Sequence, residues 1–230
     1  MARLHLLRVF CAEDGSWGNP LAVFLAGAEV PPERRQGVAA DLGLSETVFV
    51  DDAELGEIRI FTPSTELPFA GHPTVGSAWL LAAEGAPVGN LRPPAGEVPV
   101  RYADGVTYVL GSPAWPPRFE WQQLDSPQAV DDLVGAPGAD AMGAWAWLDE
   151  AAGAVRARVF PVRFGIAEDE ATGAAALQLC ARLGRELDIR QGRGSRIRAR
   201  PQSDGRVEIG GRSVLDEVRD YPLPTGGRRP

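Results

Sequence analysis

Two stretches of this sequence read as helices that are apolar almost all round, and such a helix can exist only as the interior of a larger structure. The first, Val75 to Ala83, carries Val75, Trp79, Leu80 and Leu81. The second, about 171 to 187, carries Leu177, Leu179, Cys180 and Leu183. Their starts echo one another: Gly-His-Pro-Thr-Val-Gly-Ser-Ala at 71–78 and Asp-Glu-Ala-Thr-Gly-Ala-Ala-Ala at 169–176. Pro73 fits a first helical position, where its fixed φ is suitable and no N–H is needed. Gly71 and His72 then lie at a helix N-terminus, where free N–H groups and the positive end of the dipole attract anions.

Strand patterns surround both helices. Residues 4–10 and 21–25 flank a glycine-rich loop that ends in Gly18-Asn19-Pro20, and a short helix is expected over 32–41. Val48 to Val50 and Glu57 to Thr62 read as further strands. A hairpin is expected across Ala103-Asp104-Gly105. The proline-dense run 111–119 looks like a crossing between domains. After it come a short helix near 126–134, strands at 142–148 and 154–160, the second apolar helix, and strands near 195–200, 206–210 and 213–218. Turns are expected at 203–205 and at Gly210-Gly211. One buried helix per antiparallel sheet, twice, makes this an α+β protein of two pseudo-symmetric halves. The expected division is 1–112, with a C-terminal segment of about 218–230, and 113–217.

Composition removes several classes of chemistry. All 23 basic residues are arginine, so no protein lysine can form a Schiff base and no P-loop exists. A net charge of −8 argues against nucleic acid as a partner. The alternation of Arg196, Arg198 and Arg200 with Ile197 and Ala199 reads as the solvated face of a strand. No apolar run is long enough to span a bilayer and the N-terminus has no signal-peptide pattern, so no membrane and a cytoplasmic location are expected. Two cysteines and two histidines, far apart, do not make a metal site. The tryptophans near 115, 121, 145 and 147 are read as core or interface.

Three titratable residues remain as candidates. His72 sits at the anion-attracting helix start. Glu46, between Ser45 and an apolar strand, is either a surface carboxylate or a general base in a partly apolar pocket. Asp169 precedes the second helix and has a plain alternative as a capping or first-turn acid, an explanation it shares with Glu168 and Glu170.

In order along the chain, Gly18-Asn19-Pro20-Leu21-Ala22-Val23, Ser45-Glu46-Thr47, Glu66-Leu67-Pro68-Phe69-Ala70-Gly71-His72-Pro73-Thr74, Gly165-Ile166, Glu168-Asp169, Thr172-Gly173-Ala174-Ala175 and Gly210-Gly211 form a specific set. With these motifs the chain resembles the PhzF-like phenazine-biosynthesis isomerase family, relatives of diaminopimelate epimerase. The resemblance implies two similar halves, each an antiparallel, barrel-like sheet around a central helix, with the active site between them. It also implies a homodimer, no cofactor, and isomerisation of a small carboxylated cyclic metabolite such as trans-2,3-dihydro-3-hydroxyanthranilate by proton transfer. Glu46 would then shuttle the proton while His72 and Asp169 polarise the substrate. Asn19, Ser45, Gly71, Thr172, Gly173 and Ala174 would bind it, backbone N–H groups at the helix starts taking its carboxylate.

Epimerases and racemases of this superfamily use a thiol pair at the two helix starts. Here those places hold no cysteine: Cys11 is expected in a loop and Cys180 inside the second helix. The family pattern Asp-Pro-x-Thr-Gly-Ser is altered to Glu170 and Ala174 at its proline and serine. The lost hydroxyl, together with a shortened second half, leaves a non-catalytic small-anion-binding protein as the alternative reading.

Overall fold

A long strand near the C-terminus, Val207–Tyr221, ties the molecule together in the computed structural model, which describes residues 1–135 and 140–223. Of the C-terminal segment assigned above to the first half, residues 224–230 lie outside the described residues.

The elements run β1 (Ala2–Cys11), β2 (Asn19–Phe24), α1 (Pro32–Leu42), β3 (Thr47–Asp52), β4 (Glu57–Phe61), β5 (Glu66–Leu67), α2 (Gly71–Ala83), β6 (Asn90–Leu91), β7 (Val98–Ala103) and β8 (Val106–Gly111). They continue with β9 (Glu120–Gln123), α3 (Pro127–Asp131), β10 (Met142–Asp149), β11 (Ala154–Phe160), α4 (Gly173–Leu183), β12 (Leu187–Gln191), β13 (Ser195–Pro201) and β14 (Val207–Tyr221). The strands form one connected sheet, ordered β5-β4-β3-β2-β1-β14-β13-β12-β11-β10-β9, with the β6-β7-β8 branch joined through β8 to β14. Pairing is mostly antiparallel, and three parallel joins, β2 with β3, β9 with β10 and β11 with β12, follow the longer connections.

Gly210 and Gly211 are part of this continuous strand and make no turn. Residues 207–211 pair with β8 and residues 207–210 also with β13, while 212–221 pair with β1. The glycines are needed because the strand is crowded there. A Cβ on Gly210 would lie 2.3 Å from the Tyr108 ring, and one on Gly211 would lie 2.5 Å from the ring of fully buried Phe10.

Each apolar helix lies against its own part of the sheet, α2 on β1, β2, β8 and β14 and α4 on β13 and β14, and the two helices touch one another. Val75, Ala78, Leu80 and Leu81 of α2 join Leu177, Leu179 and Cys180 of α4 in one buried cluster with inward residues of the sheet. The helical pattern understates the first helix and overstates the second. α2 starts at Gly71, which puts Pro73 at the third helical position, still inside the first turn where an N–H has no partner to lose. α4 stops at Gly184, and Leu187 opens β12. Cys11 ends β1 and does not lie in a loop.

Candidate active site

The two helix starts meet glycine to glycine. A Cβ on Gly71 would fall 2.6 Å from Gly173 Cα, and one on Gly173 would fall 2.8 Å from Gly71 Cα, so neither position admits a side chain without separating the helices. Neither N-cap residue, Ala70 or Thr172, caps its helix through a side chain. Two positive dipole ends therefore converge at one point.

His72, in the first turn of α2, is only 3% exposed. Its Nε2 lies 3.4 Å from Oε2 of Glu46, which arrives on the short link between α1 and β3 and is 13% exposed. The two atoms are near but not aligned as a hydrogen bond, and both are buried without any partner. The other ring nitrogen, Nδ1, is 3.4 Å from the Asn19 amide nitrogen. That amide donates to Asp169 Oδ1 at 2.7 Å and to the Ala171 carbonyl at 2.8 Å, which occupies both of its hydrogens. Asn19 therefore has no hydrogen left for Nδ1, and the ring also has the Pro20 carbonyl within reach as an acceptor.

Asp169 is held from several sides. Its carboxylate also accepts from Thr172 Oγ1 at 2.6 Å, and the side-chain amide of Gln191 donates to its backbone carbonyl and to Thr172 Oγ1, each at 2.9 Å. Gln191 accepts in turn from the Thr172 N–H at 3.2 Å. Asp169 thus lies four residues ahead of the helix and does not cap it. Ser45 Oγ donates to Asn19 Oδ1 at 3.4 Å, completing the link from the Glu46 loop.

Burial sets the protonation states. It pushes the Glu46 carboxyl up to about 7, against the pull of the Ser45 hydrogen bond. Asp169 is raised to about 6, by burial first and by the nearby Glu46 charge second, with His72, Thr172 and Asn19 opposing. His72 is lowered to about 4 by burial, which outweighs Asp169 and the Pro20 carbonyl. At neutral pH the imidazole is uncharged and Glu46 is poised between its two forms, as a proton-transferring group needs.

A cavity of about 330 Å³ opens onto these groups, and Glu46, Asp169, Thr172 and Ala174 line it. Its walls are apolar: Phe69, Trp115, Phe119, Phe164 and Ile166, with Arg163 among them. The proline-dense run 111–119, expected as a crossing between domains, supplies part of this wall through Trp115, Pro116, Pro117 and Phe119, and Trp115 packs on the core as well. A wider groove of about 1080 Å³ lies elsewhere, among Arg156, Arg158, Arg193 and Arg196. Those arginines pair with Asp131, Glu168, Glu170 and Asp188, so the groove holds none of the unpaired buried groups that mark the smaller cavity. Arg200 pairs with Glu186, as the solvated-face reading of β13 expects.

Gln191 and the aromatic wall were not legible as site residues, since each comes from a distant part of the chain with no motif of its own. The thiols stand apart from the site chemistry. Cys11 and Cys180 are buried and free, and burial pushes them up to about 11 and about 12, far from a reactive thiolate. Among the described residues, no group of three or more His, Cys, Asp and Glu side chains is placed to hold a metal ion. No described helix is long and apolar enough to cross a membrane.

A sequence profile described as phenazine biosynthesis-like protein (PhzC-PhzF) matches residues 7–131. The trans-2,3-dihydro-3-hydroxyanthranilate isomerase of Pseudomonas aeruginosa is 30% identical over 279 aligned positions, covering 96% of this chain and 100% of that protein. An uncharacterized isomerase of Pasteurella multocida is 48% identical over 81 residues, 34% of this chain and 28% of that protein. Among solved structures, a PhzF-family phenazine biosynthesis protein from Enterococcus faecalis superposes with a TM-score of 0.80 at 21% identity, covering 96% of this chain and 99% of that one. The fold is accordingly the α+β, diaminopimelate epimerase-like one.

Proposed function

This chain belongs to the phenazine biosynthesis-like family, and from that premise we propose a cofactor-independent isomerase that moves a proton on a small carboxylated, cyclic, unsaturated metabolite. Relatives matched over 96% and 76% of the chain are isomerases, and so is this protein. The observation that carries the mechanism is the unpaired Glu46 Oε2, 3.4 Å from an equally unpaired His72 Nε2 beside an apolar cavity.

In this reading the substrate carboxylate binds the backbone N–H groups of the paired helix starts, Gly71-His72 and Gly173-Ala174, with Asn19, Ser45 and Thr172 around it. Glu46 as carboxylate takes a proton from one ring carbon and returns it to another, so no net proton is gained or lost. The neutral His72 and the hydrogen-bonded Asp169 polarise the substrate while negative charge is delocalised over it. The aromatic wall suits a flat ring and excludes water from the transferred proton. Ala174 lines the cavity without a polar group, so the carboxylate is left to the backbone there. The two-half division at residues 112/113 and 217/218, homodimerisation and a cytoplasmic location rest on the sequence reading and are part of this proposal.

The test is solvent deuterium incorporation, with trans-2,3-dihydro-3-hydroxyanthranilate as the first of a panel of cyclic amino and hydroxy acids. Wild-type protein is expected to exchange deuterium into at least one of them, and a folded Glu46→Gln variant is expected to lose the exchange. Unimpaired exchange by Glu46→Gln would overturn the mechanism.

A further inference from the structure

The geometry points to Glu170 as a positioning residue that, through Ser195, fixes Gly18 and with it the start of β2, from which Asn19 holds Asp169. The inference deepens the proposed function only in taking Asp169 to belong to the site.

The carboxylate of Glu170 is 14% exposed and is filled with donors. Ser195 Oγ donates to Oε1 at 2.9 Å, and the backbone N–H of Arg193 lies 3.0 and 3.2 Å from the two oxygens. Arg193 Nε adds a contact at 3.2 Å, from a side chain that is 70% exposed and so adds little. Fully buried Ser195 then accepts from the Gly18 N–H at 3.0 Å, across 177 residues of sequence. Asn19 follows Gly18 and donates to Asp169, and Glu170 follows Asp169. The connections therefore close a ring: Asp169, Glu170, Ser195, Gly18, Asn19 and back to Asp169, joined by peptide bonds and hydrogen bonds.

A closed ring of this kind fixes what an open chain of contacts does not. Gly18 ends the link between β1 and β2, Asn19 opens β2 opposite Val9, and Trp17 within the link has a positive φ of 59°. Arg193 lies over the Trp17 ring at 5.0 Å, so the same hairpin that serves Glu170 also covers the loop from outside. Nothing else among the described hydrogen bonds ties the Gly18 N–H, and without that tie the start of β2 can shift and weaken the Asn19–Asp169 hydrogen bond even while Asn19 keeps its contacts with Ala171 and Ser45. Glu170 has no contact with the cavity and acts only through these neighbours.

The experiment reads the Asp169 titration without needing a substrate. The midpoint is read on the side-chain carboxyl ¹³C signal of Asp169, assigned by its absence in Asp169→Asn, because the His72 ring lies 3.4 Å from Glu46 and responds to both carboxyls. In Glu170→Ala and Ser195→Ala the Asp169 midpoint is expected to rise from about 6 by roughly half a unit or more as the Asn19 donor is lost. In Glu170→Gln, which keeps an oxygen acceptor for Ser195, it is expected to stay near the wild-type value. If Glu170→Ala does not fold, Ser195→Ala, which removes a single oxygen, decides the question in its place. An unshifted midpoint in a folded Glu170→Ala or Ser195→Ala variant, even one of reduced Tm, overturns the positioning role. With trans-2,3-dihydro-3-hydroxyanthranilate as probe, a turnover arm is expected to show kcat lowered roughly tenfold with KM little changed. If the wild type does not turn the probe over, the proposed substrate fails while the titration still decides on Glu170.

Discussion

The two helix starts that meet at Gly71 and Gly173 are alike in backbone and opposite in how their polar side chains are used. At the α4 start every polar atom of Asp169, Thr172 and Gln191 that faces the site has a partner between 2.6 and 3.2 Å. At the α2 start, Glu46 Oε2 and His72 Nε2 are buried and have none. A satisfied buried network gives rigidity, whereas an unsatisfied buried pair costs stability and persists where chemistry uses it. In the proposed mechanism the α4 side holds geometry and the α2 side moves the proton.

Breaking the α2 side should have the largest effect. Glu46→Gln is expected to lower deuterium exchange by about 10²–10⁴-fold, the ordinary worth of a positioned acid–base group. The same change should make the protein more stable. Because the folded-state Glu46 carboxyl lies above its ordinary value of 4.5, the wild type is at no disadvantage below that pH and loses stability as pH rises through about 7. Denaturant titration at pH 8 should therefore find Glu46→Gln more stable by on the order of 1–3 kcal/mol, with the difference gone below pH 4.5.

The poised state of that group predicts a pH profile next. Exchange should rise with pH and level off above about 7, and at pH 5 it should be down roughly a hundredfold because only the carboxylate accepts a proton. A profile flat from pH 5 to 8 would remove Glu46 as the base. Damage to the meeting point itself comes third. Gly173→Ala places a methyl group 2.8 Å from Gly71 Cα and 2.9 Å from Ile209 Cδ1, and thermal unfolding should show a loss of about 1–3 kcal/mol. The smallest effect is expected on the α4 side. Ala174→Ser restores a hydroxyl at the cavity, and it should tighten carboxylate binding by on the order of 1 kcal/mol, about fivefold in KM.

Much of this was legible along the chain because the relevant signals are local. The apolar faces of Val75 to Leu81 and Leu177 to Cys180 required buried helices, and turn chemistry located the β7–β8 hairpin. The order of the motifs drew attention to Glu46, His72 and Asp169 before any contact among them was visible. Other readings went astray for a reason of the same kind. Gly210-Gly211 looked like a turn, since a glycine pair reads the same whether it bends the chain or lets Tyr108 and Phe10 pack against it. That the run 111–119 also walls the cavity was not legible, because prolines in a cavity wall and prolines in a domain crossing have the same local pattern. Glu170 looked like one more first-turn acid, and its partner Ser195 is 25 residues away, with Gly18, which donates to Ser195, 177 residues from that serine.

What the sequence determined by itself was the existence of two buried helices with anion-attracting starts and the identity of the three titratable groups near them. Tertiary structure decided which of those groups is left unpaired. Burial, desolvation and the count of available donors are properties of a packed site. They left Glu46 and His72 as the unpaired groups and made Asp169, through Asn19, Thr172 and Gln191, the fixed one.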